Sequence, residues 1–381
     1  MTGERRRARD LGFVSGGQPG PLNGITDVPG VEVGCVTLVE GDGPLTVGRG
    51  PVRTGVTAIL PRGREGVATP CAAGVFSLNG NGELTGSHWL AETGSLTSPV
   101  CITNTHAVGA VHSGIVDWVV EHHPRLADEW LLPVVAETYD GWLNDINGRH
   151  VRPEHAVQAI DAAGPGPAPE GSVGGGTGMN CYAFKGGNGT ASRRLTFAGE
   201  EYTVGVFLQA NFGARRELVV RGTPVGPHLA ADNPLEDGDR TLPPGAGSVI
   251  VVVATDAPLL PGQCTALARR VGLGLARTGT SGSHFSGDIF LCFSTANEGA
   301  LSSTSPRSDE AAAALETMSL VPWGRLDPFF EAVVQGVEEA TLNALVANTA
   351  DVVGRDGHRS PCLPVDAVVD LLRSGGPAPT S

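Results

Sequence analysis

Short apolar runs separated by glycine- and proline-rich turns are the main pattern along this chain. Runs of strand length predict β-strands at residues 31–36, 55–60, 99–104, 131–138, 181–185, 193–198, 202–211, 249–254 and 288–294. Helical spacing of apolar side chains predicts helices at residues 106–122, 153–163, 261–277, 326–350 and 365–372. Because the strands come in pairs or threes, and do not alternate one by one with helices, the pattern favours an α+β fold of packed sheets with helices outside them.

Two segments interrupt this pattern. Residues 164–180 are rich in glycine and proline, which suits either a linker between domains or a functional loop. Residues 228–247 are polar and contain proline, as is typical of an exposed loop. This loop ends abruptly at the apolar run of residues 249–254, so the Gly247–Ser248 bond joins an exposed segment to a buried strand.

The composition indicates a globular protein with an acidic surface. Hydrophobic residues make up 40% of the 381 positions and charged residues 17%, which suits a large buried core. The 26 basic and 40 acidic residues give a net charge of −14. This charge disfavours nucleic acids and anionic membranes as partners, and mildly favours cationic ligands such as free amines. We interpret the one basic cluster as a solvated or docked tail rather than a nucleic-acid arm; it comprises Arg5, Arg6, Arg7 and Arg9.

Patterns for membrane insertion, disulfides, metals and nucleotides are not found in the sequence. No apolar h-region follows the N-terminal arginines, and no apolar run approaches the ~18 residues of a membrane span. The seven cysteines are scattered without a CxxC pair, which predicts a reduced, soluble, cytoplasmic protein. The histidines lack metal-ligand spacing, and the glycine-rich segment lacks the Walker pattern because Lys185 is followed by Gly186. We therefore expect no metal and no cofactor.

The Gly247–Ser248 bond is the first candidate for chemistry. Glycine tolerates unusual backbone angles, so strain can be held at the peptide bond before Ser248. The Ser248 hydroxyl could attack the preceding carbonyl, and hydrolysis of the resulting ester would free an α-amino group. Such an amine has an ordinary pKa of ~7.7–8.0 and can act as a general base beside its own hydroxyl. The alternative is a serine that merely opens a strand after a loop.

Three further segments carry candidate catalytic residues. Ser286 and Asp288 precede the apolar run IFLCF, so Ser286 could hydrogen-bond the nucleophile while Asp288 polarises it. His284 is the other candidate base, and a turn with an Asp that caps backbone amides is the structural alternative. Glu137 and Tyr139 share one face of a predicted strand.

The side chains of Glu137, Tyr139 and Asn211 are of types that suit acyl transfer. Glu137 could bind a substrate ammonium, and Tyr139 could donate a hydrogen bond to an oxyanion or a leaving group. Asn211 follows an apolar strand, where its amide is a natural oxyanion donor. Ordinary polarity at strand ends and turns is the alternative for all three residues.

Taken together, these segments resemble the DmpA-like L-aminopeptidase/D-amidase-esterase family, which includes the β-aminopeptidases. The matching stretches run in order through most of the chain, at residues 7–12, 19–34, 50–63, 79–86, 135–148, 174–193, 204–213, 247–261 and 286–297. Several are long and distinctive, among them VAETYDGWLNDING and GGGTGMNCYAFKGGNGTASR. Each candidate site falls inside a matching stretch, which favours the catalytic interpretations over the structural ones.

The resemblance implies a fold, a maturation step and a site. The fold would be a four-layer α/β/β/α sandwich of the DmpA/ornithine-acetyltransferase type, and self-cleavage would divide one globular domain into residues 1–247 and 248–381. The family implies homo-oligomers of such α/β heterodimers that act on short peptides, amino-acid amides or esters. Position by position, Ser248 matches the nucleophile and Ser286 its serine partner.

The remaining positions also match. Tyr139 and Asn211 correspond to the transition-state stabilisers, and Glu137 corresponds to the residue that holds the substrate amine. Asp288 stands where some members carry Glu, so its carboxylate is displaced by about one methylene. Two alternatives remain open: an acyltransferase that passes the same acyl-enzyme to an amine, and a non-catalytic ligand-binding homologue that keeps the fold.

Overall fold

A computed structural model describes residues 6–237, 247–306 and 308–374. In chain order the strands are β1 (Glu32–Glu40), β2 (Val52–Leu60), β3 (Cys71–Ser77), β4 (Ser95–Leu96), β5 (Val100–Asn104), β6 (Val134–Thr138), β7 (Asn180–Cys181), β8 (Phe184–Lys185), β9 (Gly187–Phe197), β10 (Glu200–Asn211), β11 (Val219–Val220), β12 (Thr223–Pro224), β13 (Gly247–Thr255), β14 (Ser286–Ser294), β15 (Val352–Val353) and β16 (Arg359–Ser360). The helices are α1 (Ser87–Thr93), α2 (Val108–His122), α3 (Pro124–Ala127), α4 (Pro153–Asp161), α5 (Pro234–Asp237), α6 (Pro261–Ala268), α7 (Val271–Arg277), α8 (Asp309–Ala312), α9 (Asp327–Val346) and α10 (Val365–Arg373).

Two sheets carry the fold. One has four strands in the order β1-β2-β5-β6, and the other has six in the order β4-β3-β14-β13-β10-β9. Neighbouring strands are antiparallel except for the pairs β5–β6 and β13–β14, which are parallel. The short strands form separate two-stranded hairpins, β7–β8, β11–β12 and β15–β16.

Three apolar layers hold these sheets and their helices together. The layer between the sheets includes Ile59, Val100, Ile102, Phe207, Ile250, Val252 and Leu291. A second layer packs α2 and α4 on the four-stranded sheet through Val56, Cys101, Val135, Val111, Trp118 and Ile160. The third packs α6, α7 and α9 on the six-stranded sheet through Val206, Val251, Phe290, Leu267, Val271, Phe329 and Val337. The result is the four-layer α/β/β/α arrangement that the family resemblance implies.

Strand β13 is apolar without interruption from Val249 to Ala254. Side chains alternate between the two faces of a strand, and both faces of β13 are covered. Val249 and Val251 pack toward the helices, while Ile250 and Val252 pack toward the other sheet. Strand β13, whose second residue is Ser248, is therefore packed on both faces and paired with a neighbouring strand on both edges.

Most predicted elements are present, and two of them differ in form. The helix predicted at 261–277 is two helices, α6 and α7, that meet at residues 269 and 270. The strand predicted at 181–185 is the hairpin β7–β8, whose turn places Tyr182 and Ala183 at φ of 53° and 55°. Strand β3 and helix α1 were not predicted.

The second part of the glycine-rich segment, residues 170–180, is packed into the protein, whereas the proline-rich residues 165–167 before it are exposed. Its 3-10 turn at Gly174–Gly178 is fully buried. A side chain at Gly175 would meet the Gln209 side-chain oxygen at 2.2 Å and the Ile102 carbonyl at 2.6 Å. Only glycine fits where this segment runs against two strands, which explains its composition.

Two of the N-terminal arginines, Arg7 and Arg9, are docked on the protein, which agrees with the interpretation of the basic cluster as a docked tail. Arg7 forms an ion pair with Glu170 at 2.8 Å, and Arg9 forms one with buried Glu339 at 2.7 Å. Arg5 lies outside the described residues, as do residues 238–246 of the predicted exposed loop. Within the described part of the chain, no helix is long and apolar enough to cross a membrane, and no group of three His, Cys, Asp or Glu is arranged to hold a metal ion.

Candidate active site

Ser248 lies at the start of β13, between two strands that carry other candidate residues. It pairs with Asn211 of β10 on one side and with Gly287 of β14 on the other. The residue is only 3% exposed. Its Oγ donates a hydrogen bond to the carbonyl oxygen of Gly247 at 2.6 Å. The hydroxyl therefore lies against the carbonyl group of the peptide bond that it is predicted to attack.

Gly247 is held in a space that admits no side chain. A Cβ at this position would lie 1.8 Å from the carbonyl oxygen of Asn211. Its own amide donates to the Phe285 carbonyl at 3.4 Å. Backbone of β10 and of the residue just before β14 thus fixes Gly247, and the close approach to Asn211 requires glycine.

Ser286 and Asp288 form a hydrogen-bonded pair on β14. They flank Gly287, the residue opposite Ser248, and the Ser286 hydroxyl donates to Asp288 Oδ1 at 2.5 Å. Both residues are buried. Burial raises the pKa of Asp288 above its ordinary value, and hydrogen bonds from Ser286 and Asn79 partly oppose that rise. A carboxylate with this donor can polarise the Ser286 hydroxyl.

His284, the other candidate base, is exposed, and its ring contacts Phe285 with centroids 5.2 Å apart. The structure thus buries Asp288 in this segment and leaves His284 at the surface. The hydrogen-bonded partner of Ser286 is Asp288.

Two asparagines that sequence reasoning did not single out hold this segment. Asn79 accepts a hydrogen bond from the Asp288 amide at 2.7 Å and donates one to Asp288 Oδ2 at 3.1 Å. Asn81 donates to the Phe285 carbonyl at 2.9 Å. The signal in the sequence is the repeated Asn-Gly of residues 79–82, which lies in one of the stretches that resemble the family.

Glu137 is a buried carboxylate at the end of β6. It is 2% exposed, and it accepts hydrogen bonds from the Thr105 hydroxyl and, at 3.0 Å, from the Glu83 amide. Burial raises its pKa, while these two donors act in the opposite direction. A Cβ at Gly82 would lie 3.3 Å from Glu137 Oε1 and 3.1 Å from the Cα of Gly287. Glu137 and the centre of the Ser286–Asp288 segment therefore meet at Gly82.

Asn211 and Tyr139 are joined directly. The Asn211 Nδ2 donates to the Tyr139 carbonyl at 2.8 Å, and its Oδ1 accepts from the Asn180 amide at 2.8 Å. These bonds fix the side-chain amide, whose NH₂ group carries a second hydrogen for another acceptor. Tyr139 is 37% exposed, and its hydroxyl lies over Gly141, where a Cβ would approach it to 2.3 Å.

Comparison with known proteins identifies the class of site. The model of peptidase family S58 matches residues 23–360 of this chain. The chain belongs to peptidase family S58. It is 50% identical, over 372 residues, to the β-peptidyl aminopeptidase BapA of Sphingosinicella microcystinivorans, a match that covers 95% of this chain and 91% of the relative.

Two solved structures agree with this assignment. The L-aminopeptidase D-Ala-esterase/amidase of Ochrobactrum anthropi, a prototype for the serine aminopeptidases with a variant of the Ntn hydrolase fold, has a TM-score of 0.88 and 42% identity over 97% of this chain and 98% of its own. A Burkholderia sp. β-aminopeptidase has a TM-score of 0.86 and 46% identity over 98% of this chain and 100% of its own. These matches confirm the DmpA-like resemblance and the fold.

As an S58 peptidase, the protein is a serine-type aminopeptidase that hydrolyses peptides. The geometry provides the groups that such chemistry needs. A buried hydroxyl adjoins a carbonyl, a Ser–Asp pair lies on the next strand, and a fixed amide lies on the other side. Family membership favours hydrolysis over both the acyltransferase and the non-catalytic alternatives.

Proposed function

We propose that this protein is a self-processing serine aminopeptidase that cuts its own Gly247–Ser248 bond and then uses Ser248 as its nucleophile. The observation that carries the proposal is the 2.6 Å hydrogen bond from Ser248 Oγ to the Gly247 carbonyl. It puts the hydroxyl beside the one peptide bond whose cleavage would leave Ser248 at an N-terminus. The tight fit of Gly247 against Asn211 supports the proposal, since it limits motion of that bond.

Self-cleavage needs only the groups of the chain itself and one water molecule. Ser248 Oγ attacks the Gly247 carbonyl carbon, its proton passes to the departing nitrogen, and the C–N bond breaks to leave an ester. Water then hydrolyses the ester, which yields residues 1–247 and 248–381 with a free amine on Ser248. Ser286, polarised by Asp288, is the base that we assign to the first proton transfer.

In turnover, Glu137 binds the substrate ammonium while Ser248 attacks the scissile carbonyl. Either the freed α-amine of Ser248 or the Ser286–Asp288 pair accepts the hydroxyl proton. Asn211 and Tyr139 donate to the oxyanion, and water releases the acyl group. Glu137 can take this role because each of its carboxylate oxygens, with one hydrogen bond accepted from Glu83 or Thr105, retains a lone pair for the ammonium.

Short peptides, amino-acid amides and esters with a free amine are the proposed substrates. The names of the related enzymes direct the choice of probes to β-residues and to D-alanine. We expect p-nitroanilides of β-alanine, L-alanine or D-alanine to be hydrolysed, and the N-acetylated form of the best substrate to be inert. Equal turnover of the acetylated form would contradict the proposal that Glu137 binds the substrate ammonium.

The Ser248→Ala variant tests the proposal. We expect it to remain a single uncut chain without peptidase activity, whereas Ser302→Ala, at an exposed serine, should be cut and active. Two fragments from Ser248→Ala on a denaturing gel would overturn the assignment of the nucleophile.

We also propose a cytoplasmic homo-oligomer of α/β heterodimers. Light scattering on purified protein would test the oligomer, and cell fractionation would test the location.

A further inference from the structure

Asn79 contacts Asp288 at both its backbone and its side chain. Its Oδ1 accepts from the Asp288 amide at 2.7 Å, and its Nδ2 donates to Asp288 Oδ2 at 3.1 Å. The other carboxylate oxygen, Oδ1, accepts from Ser286 at 2.5 Å. The carboxylate of Asp288 is therefore held from both sides, with Ser286 on one oxygen and Asn79 on the other.

Asn79 is itself fixed by the sheet. Strand β3 ends at Ser77, which pairs with Ile289 of β14, and the Leu78 amide donates to the Asp288 carbonyl at 2.9 Å. The Ser77 hydroxyl donates to the Asn79 carbonyl at 2.7 Å. The Asn79 side chain also donates to the Ser283 carbonyl at 3.0 Å. The asparagine thus extends a rigid strand end rather than lying in a free loop.

Asp288 has a particular need for such a partner. Its side chain is one methylene shorter than glutamate, so it cannot reach Ser286 from as many backbone positions. The Asn79 bond to the Asp288 amide sets the backbone, and the bond to Oδ2 sets the plane of the carboxylate. Both restraints act on the same residue from one side chain, which is the arrangement expected of a positioning group.

We propose that Asn79 is a positioning residue that holds the Asp288 carboxylate against Ser286 for self-cleavage and for turnover. The inference rests on the proposed function, because it assigns Ser286 and Asp288 to proton transfer. Asn79 does not contact the reacting atoms, so its effect is expected on proton transfer and not on substrate binding.

The charge state of Asp288 provides a readout that a purely structural role would not move. Burial raises its pKa, and three neutral groups lower it: the Ser286 hydroxyl, the Asn79 amide and the Val249 backbone N–H. The active form is the carboxylate, so activity is lost as the pH falls through this pKa. Without the Asn79 donor the pKa rises, and the acid limb of the rate profile moves to higher pH.

Self-cleavage is the better reaction for this test, because the uncut chain has no α-amine at Ser248 to add its own titration. Precursor made by cell-free synthesis is followed over time at each pH on denaturing gels. We expect the acid midpoint to rise by about 1 pH unit in Asn79→Ala, the order expected for one hydrogen bond to a charged group. It should rise further in Asn79→Asp, which keeps the acceptor for the Asp288 amide and adds a like charge.

Asn81→Ala is the matched comparison, because Asn81 bonds the Phe285 carbonyl and leaves both Asp288 oxygens as they are. Its acid midpoint should equal that of the wild type. In mature enzyme, Asn79→Ala should lower kcat with KM unchanged. Unshifted midpoints in both Asn79 variants would overturn the inference.

The Asp288→Asn variant distinguishes a failure of the role proposed for Asn79 from a failure of the proton-transfer role of Asp288. If this variant is inactive while the Asn79 variants keep the wild-type midpoint, only the inference about Asn79 fails. If Asp288→Asn cleaves at the wild-type rate, the proton-transfer role of Asp288 fails, and the inference fails with it. Because Asn79→Asp is nearly isosteric, it keeps the comparison available should Asn79→Ala fold poorly.

Discussion

Replacement of Gly247 by alanine tests how tightly the scissile bond must be held. The added Cβ would lie 1.8 Å from the Asn211 carbonyl oxygen and 2.9 Å from its carbonyl carbon. Real Cβ contacts essentially never fall below 3.0 Å, so the backbone must move by more than 1 Å. Both atoms belong to the main chain of β10, and no side-chain rotation can relieve the contact.

The expected cost follows from that displacement. A misplacement of about 1 Å in a reacting group can lower a rate by about 10²-fold. We therefore expect self-cleavage of Gly247→Ala to slow by about two orders of magnitude. Overpacking of this kind also destabilises a fold by ~1–3 kcal/mol. Once the bond is cut, residue 247 becomes a chain end that can move away, so kcat per cut molecule should match the wild type.

Newly synthesised protein would be followed by intact mass over time, with active sites titrated in the cut fraction. Gly324→Ala is the control, since a Cβ there meets nothing within 4 Å. It should be cut at the wild-type rate. Wild-type or faster cleavage of Gly247→Ala would refute the reasoning that the contact with Asn211 positions the bond.

Three other changes give distinct outcomes. Asn211→Ala should lower kcat by about 10²–10³-fold, the usual cost of one oxyanion donor, and an unchanged kcat in mature enzyme would contradict that role. Gly141→Ala should lower kcat as Tyr139→Phe does, because the added Cβ would lie 2.3 Å from the Tyr139 hydroxyl oxygen and would displace it. Gly109→Ala should leave kcat unchanged, since a Cβ there meets nothing within 4 Å. Burial raises the pKa of Asp140 to about 7, so the folded state holds a proton that the unfolded state releases, and stability should fall as the pH rises from the ordinary aspartate range through about 7. Denaturant unfolding should show a smaller fall in Asp140→Asn, and an equal fall in both proteins would reject this cause.

Strong local patterns made several elements predictable from the sequence. Strand β13 is continuously apolar because both of its faces are buried, and α2 and α9 carry clear helical spacing. The candidate residues were predictable as a set only through the family resemblance, since each one alone is ordinary. Their proximity depends on strand order, and the parallel pairing of β13 with β14 is not encoded in either strand by itself.

The elements that were missed lack such patterns. Strand β3 begins Cys-Ala-Ala-Gly, which has little strand propensity; its small residues serve the close packing of α6, since a Cβ at Gly74 would lie 2.3 Å from the Thr265 amide. The break between α6 and α7 leaves the apolar spacing intact, so periodicity could not reveal it. Asn79 lies 209 positions from Asp288, and a side-chain contact over that separation has no local signal.

The central claim is that Ser248 is freed by cleavage of its own chain. Intact-mass analysis and N-terminal sequencing of purified, active wild-type protein test it most directly. We predict two chains, residues 1–247 and a second chain whose unblocked first residue is Ser248, with activity proportional to the cut fraction. Full activity in a preparation that contains only the continuous 381-residue polypeptide would contradict it.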